Sequence, residues 1–499
     1  MDVFSNLALG FQVALGLQNI AYCFLGVLIG TLVGVLPGIG PVTTVAMLLP
    51  VSFTLPPESA LILMAGIYYG AQYGGSTTAI LVNIPGEASA VVTTIDGHMM
   101  AKLGRAGPAL GIAAIGSFFA GTVSTLLVSF AAPPLAAVAL NFGPAEYFSL
   151  MVCGLIAAVV LAHGSVIKAI AMVVIGLLLG LAGTDVNSGI RRFTYDLPSL
   201  ADGIEFVALS MGIYGLAEVA YNLQKKAEAA GEIQKIGRVW PSLADLKFCM
   251  PSILRGTTLG SVLGVLPGGG ALLAAFAAYT LEKKTAKPPR NFGQGDIRGV
   301  AAPESANNAG AQTSFIPMLT LGIPANPTMA MMIGALMIHG VSPGPSVMTE
   351  RPAMFWGIIA SMWIGNLMLV ILNLPLVGLW VRLLRIPYQY LFPAIIVFCC
   401  IGTYTVNRNP FDLYVMCFFA VFGYLCVKLQ CEPAPLILGF VLGPMMEENL
   451  RRTLLMSRGD LSVLVTEKIS LGFLVIAALM LLIVAAPAVR RKREEALRE

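Results

Sequence analysis

Charged residues are scarce in this chain. Of its 499 residues only 11% are Asp, Glu, Lys or Arg, whereas 57% are hydrophobic. Soluble domains carry about a quarter charged residues, so this deficit and the mean hydropathy of +0.83 place the chain in a membrane. Apolar runs of spanning length recur, for example in residues 145–162, 166–182 and 204–221. They predict an all-α polytopic membrane protein with about 11–14 membrane segments.

Signals of several other classes are also missing. The eight cysteines show no CxxC motif and no metal spacing, which predicts small core side chains rather than a disulfide framework. The start MDVFSNLALGFQ lacks a basic n-region, so we expect the first helix to insert and stay. The scattered histidines His98, His163 and His339 form no metal or catalytic set and are expected in packing or interfacial positions.

Positive charge is absent from the first part of the chain. No Lys or Arg precedes Lys102, whereas residues 225–298 hold eleven of the thirty. Because basic residues favour cytoplasmic loops, the N terminus and loop 51–59 are predicted outside. Loops 221–240 and 281–298 and the basic C-terminal tail are predicted inside.

Two apolar runs are interrupted in the same way, by GVLPGIGP at residues 34–41 and by GVLPGGG at residues 264–270. Glycine and proline are poor residues for the middle of a helix. The first interruption has no positive flank, whereas basic residues flank the second on both sides. Each run is therefore predicted to enter and return on one side, as re-entrant hairpins 17–50 and 253–281 that point in opposite directions.

Two similar halves of opposite orientation form an inverted-topology repeat. We predict a first repeat at 1–224, a cytoplasmic linker at 225–252, a second repeat at 253–450, and an extra helix with a basic tail at 451–499. The stretch YYGAQYGGSTTAILVNIPG, residues 68–86, matches NNAGAQTSFIPMLTLGIPA, residues 307–325. The register between these two stretches stays open, because aligning the GAQ triplets and aligning the Ile-Pro pairs give registers that differ by one residue.

The interruptions carry the predicted chemistry. A helix that stops at membrane depth exposes N–H groups that bind anions and C=O groups that suit Na⁺. The broken segments contain no Lys or Arg, so an anionic substrate would be held by backbone, hydroxyls, amides and co-bound cations. This predicts cation-coupled uptake. The candidate substrate and ion residues are Pro37, Gly38, Gly40, Thr43, Gly74, Gly75, Ser76, Thr77, Asn83, Pro85, Gly86, Pro267, Gly268, Gly269, Asn307, Asn308, Thr313, Ser314, Gly322 and Pro324.

Four acids lie near these segments. Glu58 follows a Pro-Pro pair and is predicted to be a solvated helix cap. Glu87 and Asp96 are either proton relays or residues of a water-exposed loop, and Glu304 is either a helix-start acid or a ligand group. The alternative for every glycine is that small residues only allow helices to pack closely.

The stretches GVLPGIGPVTTVAMLLP, YYGAQYGGSTTAILVNIPGEAS and PESANNAGAQTSFIPMLTLGIPANPTMAMMIGAL together resemble the large membrane subunit of tripartite tricarboxylate transporters, the TctA type. The resemblance covers nearly the whole chain and is weakest after about residue 385. The second half has Ala325 where the first has Gly86, and PGGGA in place of PGIGP. These departures argue against strict two-fold symmetry of the site.

The resemblance implies a bacterial inner-membrane secondary importer that moves its site in elevator fashion. It implies a small four-helix membrane subunit, a periplasmic solute-binding protein, and a substrate such as citrate or another di-, tri- or aromatic carboxylate. It also implies symport with Na⁺ or H⁺, no enzymatic cofactor and no nucleic-acid partner, while a homodimer stays open. The alternatives are an ATP-driven permease, a channel or an intramembrane enzyme, although the sequence has no Walker or HExxH motif.

Overall fold

The fold was analysed on a computed structural model, which describes residues 3–36, 40–162, 165–185, 188–224, 237, 239–266, 270–383 and 388–485. Pro37, Gly38, Pro267, Gly268, Gly269 and His163 lie outside these residues, as do most of the predicted linker and the basic tail. Across the described residues the structure is 79% helical, which confirms the all-α class.

The first half of the chain contains eleven α-helices, short 3₁₀- and π-helical turns, and one small antiparallel ribbon within the described residues. The α-helices are α1 Val3–Ala14, α2 Leu17–Val35, α3 Pro41–Ser52, α4 Pro57–Val82, α5 Val91–Thr93, α6 Met99–Lys102, α7 Ala106–Ala139, α8 Pro144–Leu161, α9 Val166–Gly180, α10 Phe206–Ser210 and α11 Ala217–Gln224. The 3₁₀-helices are Ala88–Ala90 and Pro198–Leu200, the π-helices Thr94–His98 and Met211–Leu216, and the strands β1 Gly183–Thr184 and β2 Arg191–Arg192.

The described part of the second half is helical throughout. Its helices are α12 Leu243–Leu263, α13 Gly270–Thr285, α14 Arg298–Thr313, α15 Phe315–Leu321, α16 Pro327–Ile338, α17 Ser346–Glu350, α18 Pro352–Asn373, α19 Val377–Leu383, α20 Tyr388–Asn407, α21 Pro410–Lys428, α22 Ala434–Met456, α23 Val463–Thr466 and α24 Lys468–Ala485.

Many of these helices are apolar enough for a bilayer. Within the described residues, five are also long enough to span one: Leu17–Val35, Ala106–Ala139, Phe206–Gln224, Pro352–Asn373 and Pro410–Lys428. Seven shorter apolar helices of 10–17 residues accompany them. The three runs singled out in the sequence coincide with α8, α9 and the α10–α11 segment. The chain is therefore a multi-pass membrane protein.

Both interrupted runs form helix–break–helix segments. In the first, α2 ends at Val35 and α3 begins at Pro41; in the second, α12 ends at Leu263 and α13 begins at Gly270. Helix α12 starts earlier than the predicted hairpin because Ser242 and Asp245 form a capping box at its N terminus. Residues 243–252 of the predicted linker are therefore helical.

Each hairpin packs its first helix in parallel against the long helix that follows it. A Cβ built on Gly30 of α2 would lie 2.3 Å from the carbonyl oxygen of Ile67 on α4. The matching contact in the second half joins Gly260 of α12 to the carbonyl oxygen of Ala306 on α14, also at 2.3 Å. Only glycine lets these backbones approach so closely.

The same contacts resolve the ambiguous register. Gly30 and Gly260 contact residues 67 and 306, which lie 239 positions apart, as do the Ile-Pro pairs at 84 and 323. Asn83 and Gly322 keep this spacing, and both end their helices in the left-handed conformation, with φ of 60° and 70°. The Ile-Pro register is therefore the structural one, and the GAQ match is offset by one residue.

The two long helices α4 and α14 run antiparallel where they meet. Tyr68, in the first half of α4, accepts a hydrogen bond from Asn326, which follows α14 and α15 in the chain. Ser76, in the second half of α4, donates one to Glu304 in the first half of α14. The halves also interlock: the segment after the first Ile-Pro break packs on α13, and α16, which follows the second, packs on α3.

All eight cysteines are unbridged, as the sequence predicts. Cys23, Cys249, Cys399 and Cys426 are buried core residues. Cys417 differs from the expectation because it lies on an exposed face of α21.

Candidate functional site

A polar cluster lies where α4 and α14 cross. The name central polar cluster is used here for Tyr68, Gln72, Ser76, Glu87, Ser89, Thr93, Glu304, Asn307, Asn308 and Asn326. Its members come from both halves of the chain and include five that the sequence did not select as ligands: Tyr68, Gln72, Ser89, Thr93 and Asn326. All but Thr93 lie within the quoted stretches that resemble the family.

Glu304 is the hub of this cluster. Its side chain is fully buried, and its two carboxylate oxygens accept hydrogen bonds from the hydroxyls of Ser76 and Thr93. The two donors belong to the first half and the carboxylate to the second. Glu304 therefore joins the halves as a hydrogen-bond acceptor, deep inside the protein rather than at a solvated helix start.

Glu87 lies just after the first Ile-Pro break, at the position that Asn326 occupies after the second. Gln72 donates a hydrogen bond of 3.2 Å to its carboxylate, and the Ser89 backbone N–H donates another of 3.2 Å. The Ser89 hydroxyl in turn donates to Gln72 at 2.8 Å. In the register given above Glu87 corresponds to Asn326, and each caps the short helix that follows it.

Asn307 differs from every other amide of the cluster. Its side chain is fully buried, yet neither Oδ1 nor Nδ2 has a hydrogen-bond partner among the described residues. In its neighbour Asn308 both Nδ2 protons are used, because Nδ2 donates to Ser117 at 2.7 Å and to the Glu304 carbonyl at 3.1 Å. A buried amide without partners costs free energy unless a ligand binds it. Asn307 is thus the one amide of the cluster whose two polar atoms both lack a partner among the described residues.

The remaining predicted residues divide between site and packing. Gly86 folds back onto the first hairpin, where a Cβ would lie 1.8 Å from the carbonyl oxygen of Gly34. Gly74 packs in the same way on Thr31, and the Thr313 hydroxyl donates to its own helix at Ala309. The contact of Gly74 is of the kind that the packing alternative describes for glycines.

Most other candidates are buried near the cluster, whereas Asn83 is exposed and Pro85 is partly exposed. The buried ones are Gly75, Ser76, Thr77, Ser314, Gly322 and Pro324. At the second hairpin, a Cβ on Gly270 would lie 3.8 Å from the amide nitrogen of Asn326. The ends of both hairpins thus approach the cluster through Gly86 and Asn326.

Glu218 was missed by the sequence reasoning. Thr43, at the start of α3, donates a hydrogen bond of 2.8 Å to its carboxylate, and the backbone N–H of Gly40 donates another. The N-terminal end of α3, predicted to receive a substrate anion, thus holds a carboxylate of the chain itself. An acid inside the apolar run 204–221 is the signal that could have identified it.

Asp96 is an anchor for the loop before α14. Its Oδ1 accepts the backbone N–H groups of Gly293, Gly295 and Asp296 at 2.8–2.9 Å, and Tyr279 donates to Oδ2 at 2.9 Å. The side chain is fully buried, so it is not part of a water-exposed loop. Glu58, by contrast, is partly exposed in the first turn of α4, as expected of a cap.

The cluster has no basic side chain. Within the described residues neither Glu87 nor Glu304 forms an ion pair, and no group of three or more His, Cys, Asp or Glu is placed to hold a metal ion. The chemistry on offer is therefore hydroxyl and amide donors beside two carboxylates.

Comparison with known proteins gives one family. Its sequence model, described as the tripartite tricarboxylate transporter TctA family, matches residues 20–438. An "Uncharacterized 52.8 kDa protein in TAR-I ttuC' 3'region" of Agrobacterium vitis is 57% identical over 495 residues, 99% of each chain. An "Uncharacterized protein in TAR-II ttuC' 3'region" of the same organism is 58% identical over 236 residues, 47% of this chain and 98% of its own length. No solved structure matches the chain significantly.

Proposed function

The chain belongs to the tripartite tricarboxylate transporter TctA family, and from this premise we propose that it imports a carboxylate with Na⁺ or H⁺ by alternating access. As the large subunit of a tripartite system it has a small membrane subunit and a periplasmic binding protein as partners. The proposed location is the bacterial inner membrane. The proposed substrate is a tricarboxylate such as citrate, or a related di- or aromatic carboxylate.

The observation that carries the proposal is the central polar cluster. It joins the two halves, and among the described residues the amide of Asn307 has no hydrogen-bond partner and the two carboxylates have no basic partner. A substrate carboxylate brought beside Glu87 and Glu304 would be repelled unless positive charge came with it. This electrostatic requirement supports coupling to a cation or proton.

The antiparallel meeting of α4 and α14 supports the inverted-repeat interpretation. Loops predicted on one side of the membrane also lie together. The ring of Phe53, in the predicted outer loop 51–59, is 6.4 Å from that of His339, which begins a loop without Lys or Arg at residues 339–350. Arg105, the second basic residue of the chain, forms an ion pair of 3.7 Å with Asp245 of the predicted cytoplasmic linker. Alternating access in elevator fashion would carry both hairpin tips and the cluster between these faces.

The adjacent amides Asn307 and Asn308 provide the test. Asn307→Ala removes an amide with no protein partner, so it should abolish or strongly reduce carboxylate uptake while the unfolding temperature stays equal or rises. Asn308→Ala breaks the bonds to Ser117 and Glu304 and should lower the unfolding temperature. Uptake is measured in proteoliposomes with the small subunit and the binding protein, after a thermal-shift screen of the binding protein has identified its carboxylate.

Wild-type uptake by folded Asn307→Ala would refute the site. Uptake that needs ATP but no ion gradient would refute the coupling class.

A further inference from the structure

A small cavity lies beside the central polar cluster, between α4, α7 and α18. Its volume is about 10 Å³, which is room for one water-sized particle. Leu110, Ala113 and Ala114 form its apolar wall. The polar lining residues come from three helices that are distant in sequence: Tyr73, Ser76, Thr77, Ser117 and Asn373.

Asn373 supplies an unsatisfied acceptor at this cavity. The residue is 6% exposed and sits at the end of α18. Its Nδ2 donates to the Leu369 carbonyl at 2.9 Å, but Oδ1 has no partner among the described residues. A buried carbonyl oxygen of this kind requires a donor or a cation.

The hydroxyls around the cavity leave oxygen lone pairs available. The Ser76 hydroxyl donates to the Gln72 carbonyl oxygen and to the Glu304 carboxylate, so its proton is engaged on the side of the cluster. Ser117 accepts one hydrogen bond, from Asn308, and a hydroxyl oxygen has two lone pairs. With Thr77 and Asn373, these residues offer up to four neutral oxygens, the ligand type that hard monovalent and divalent cations select.

Negative charge lies one side chain away. Glu304 is fully buried, has no basic partner within the described residues, and is linked to the cavity through the Ser76 hydroxyl. A buried ionised carboxylate is costly unless positive charge is near. A water molecule in the cavity would satisfy Asn373 but would not compensate this charge, whereas a cation would do both.

We propose that this cavity is a binding site for one dehydrated Na⁺, with Asn373 Oδ1 and the hydroxyl oxygens of Ser76, Thr77 and Ser117 as ligands. The identification of this ion as the coupling ion rests on the proposed function. The binding itself does not, because the residues are present in the chain whatever it transports. The site places the cation beside Glu304, on the α7 and α18 side of the cluster.

Na⁺ binding to the purified wild-type chain is tested without carboxylate, by thermal unfolding in NaCl against choline chloride and KCl at constant ionic strength. We expect Na⁺ to raise the unfolding temperature in a saturable way. Asn373→Leu should weaken Na⁺ binding, so that the half-saturating Na⁺ concentration rises about tenfold or more. Asn373→Asp keeps an oxygen ligand and adds charge, so it should retain or tighten Na⁺ binding. The exposed Asn141→Ala, at the end of α7, serves as the matched control and should respond as wild type.

Equal stabilisation by choline, K⁺ and Na⁺ would overturn the proposal. So would an unchanged Na⁺ response in Asn373→Leu or, where that variant does not fold, in Thr77→Val. Specific Na⁺ binding in a chain that transports no carboxylate would refute the proposed function and leave the site standing. Carboxylate uptake together with wild-type Na⁺ affinity in Asn373→Leu would refute the site alone.

Discussion

Individual carboxylates of this chain differ in what balances them. Asp96 accepts hydrogen bonds from three backbone N–H groups, and Glu304 accepts them from two hydroxyls. Glu218 accepts one from a hydroxyl at the start of α3. Asp296 is instead paired with Arg298, which is itself 3% exposed and contacts the ring of Phe248 at 4.5 Å. Of these four carboxylates, only Asp296 has a partner that carries a full opposite charge within the described residues.

The Asp296–Arg298 pair predicts a pH-dependent stability. Burial alone would raise the pKa of Asp296, but hydrogen bonds from the Arg298 guanidinium and backbone outweigh it and lower the pKa. A lowered pKa in the folded state stabilises the protein fully above the unfolded value of about 3.9, and this stabilisation is lost as the pH falls further. The difference in unfolding temperature between wild type and Asp296→Asn should therefore be constant above about pH 5 and shrink below pH 4.

The same pH series on Asp196→Asn, at an exposed position, measures how much an ordinary surface carboxylate contributes to the pH dependence of the unfolding temperature. A wild-type advantage over Asp296→Asn that grows toward pH 3 would contradict the assignment.

At the scale of the helix, glycines on α2 and α12 decide how closely the hairpins pack. Gly30→Ala and Gly260→Ala would each place a methyl group 2.3 Å from a backbone carbonyl oxygen, which no rotamer change can relieve. Both variants should lower the unfolding temperature and the yield of folded protein. Gly472 in α24 has nothing within 4 Å of a built Cβ, so Gly472→Ala should be neutral or gain up to about 1 kcal/mol of helix propensity.

Equal stability of Gly30→Ala and Gly472→Ala, measured by thermal unfolding in detergent, would argue against the close parallel packing of α2 and α4.

Helices and their breaks are the level at which the sequence is most informative. Runs of apolar residues predict α8, α9 and α10–α11, and the Pro-Gly interruptions predict that α2 and α12 end near them, as they do at Val35 and Leu263. Partners across the fold are not predictable in this way. The contacts of Glu218 with Thr43 and of Ser76 with Glu304 join residues 175 and 228 positions apart. A single sequence does not say which faces of its helices meet, so the site needed the fold.

At the scale of the whole molecule, the charge distribution predicts a sidedness that can be measured. A cysteine at Thr54, exposed between α3 and α4, should react with a membrane-impermeant maleimide in intact spheroplasts. A cysteine at Lys287, in the loop between α13 and α14, should react only after the membrane is opened. The parent chain, with its native cysteines, is labelled in parallel as the control. Labelling of both positions from one side would rule out oppositely oriented hairpins.

The interlocked packing of the halves has a consequence for biogenesis. Helix α3 meets α16, and the carboxylate that receives the Ser76 and Thr93 hydroxyls lies on α14. A chain emerging from the ribosome has made α3, Ser76 and Thr93 long before either partner exists. The first half therefore enters the bilayer with polar groups still unmatched, and insertion must precede assembly. We expect the nascent protein to form its native core only after residues up to Ile338 have been synthesised and α16 has packed on α3.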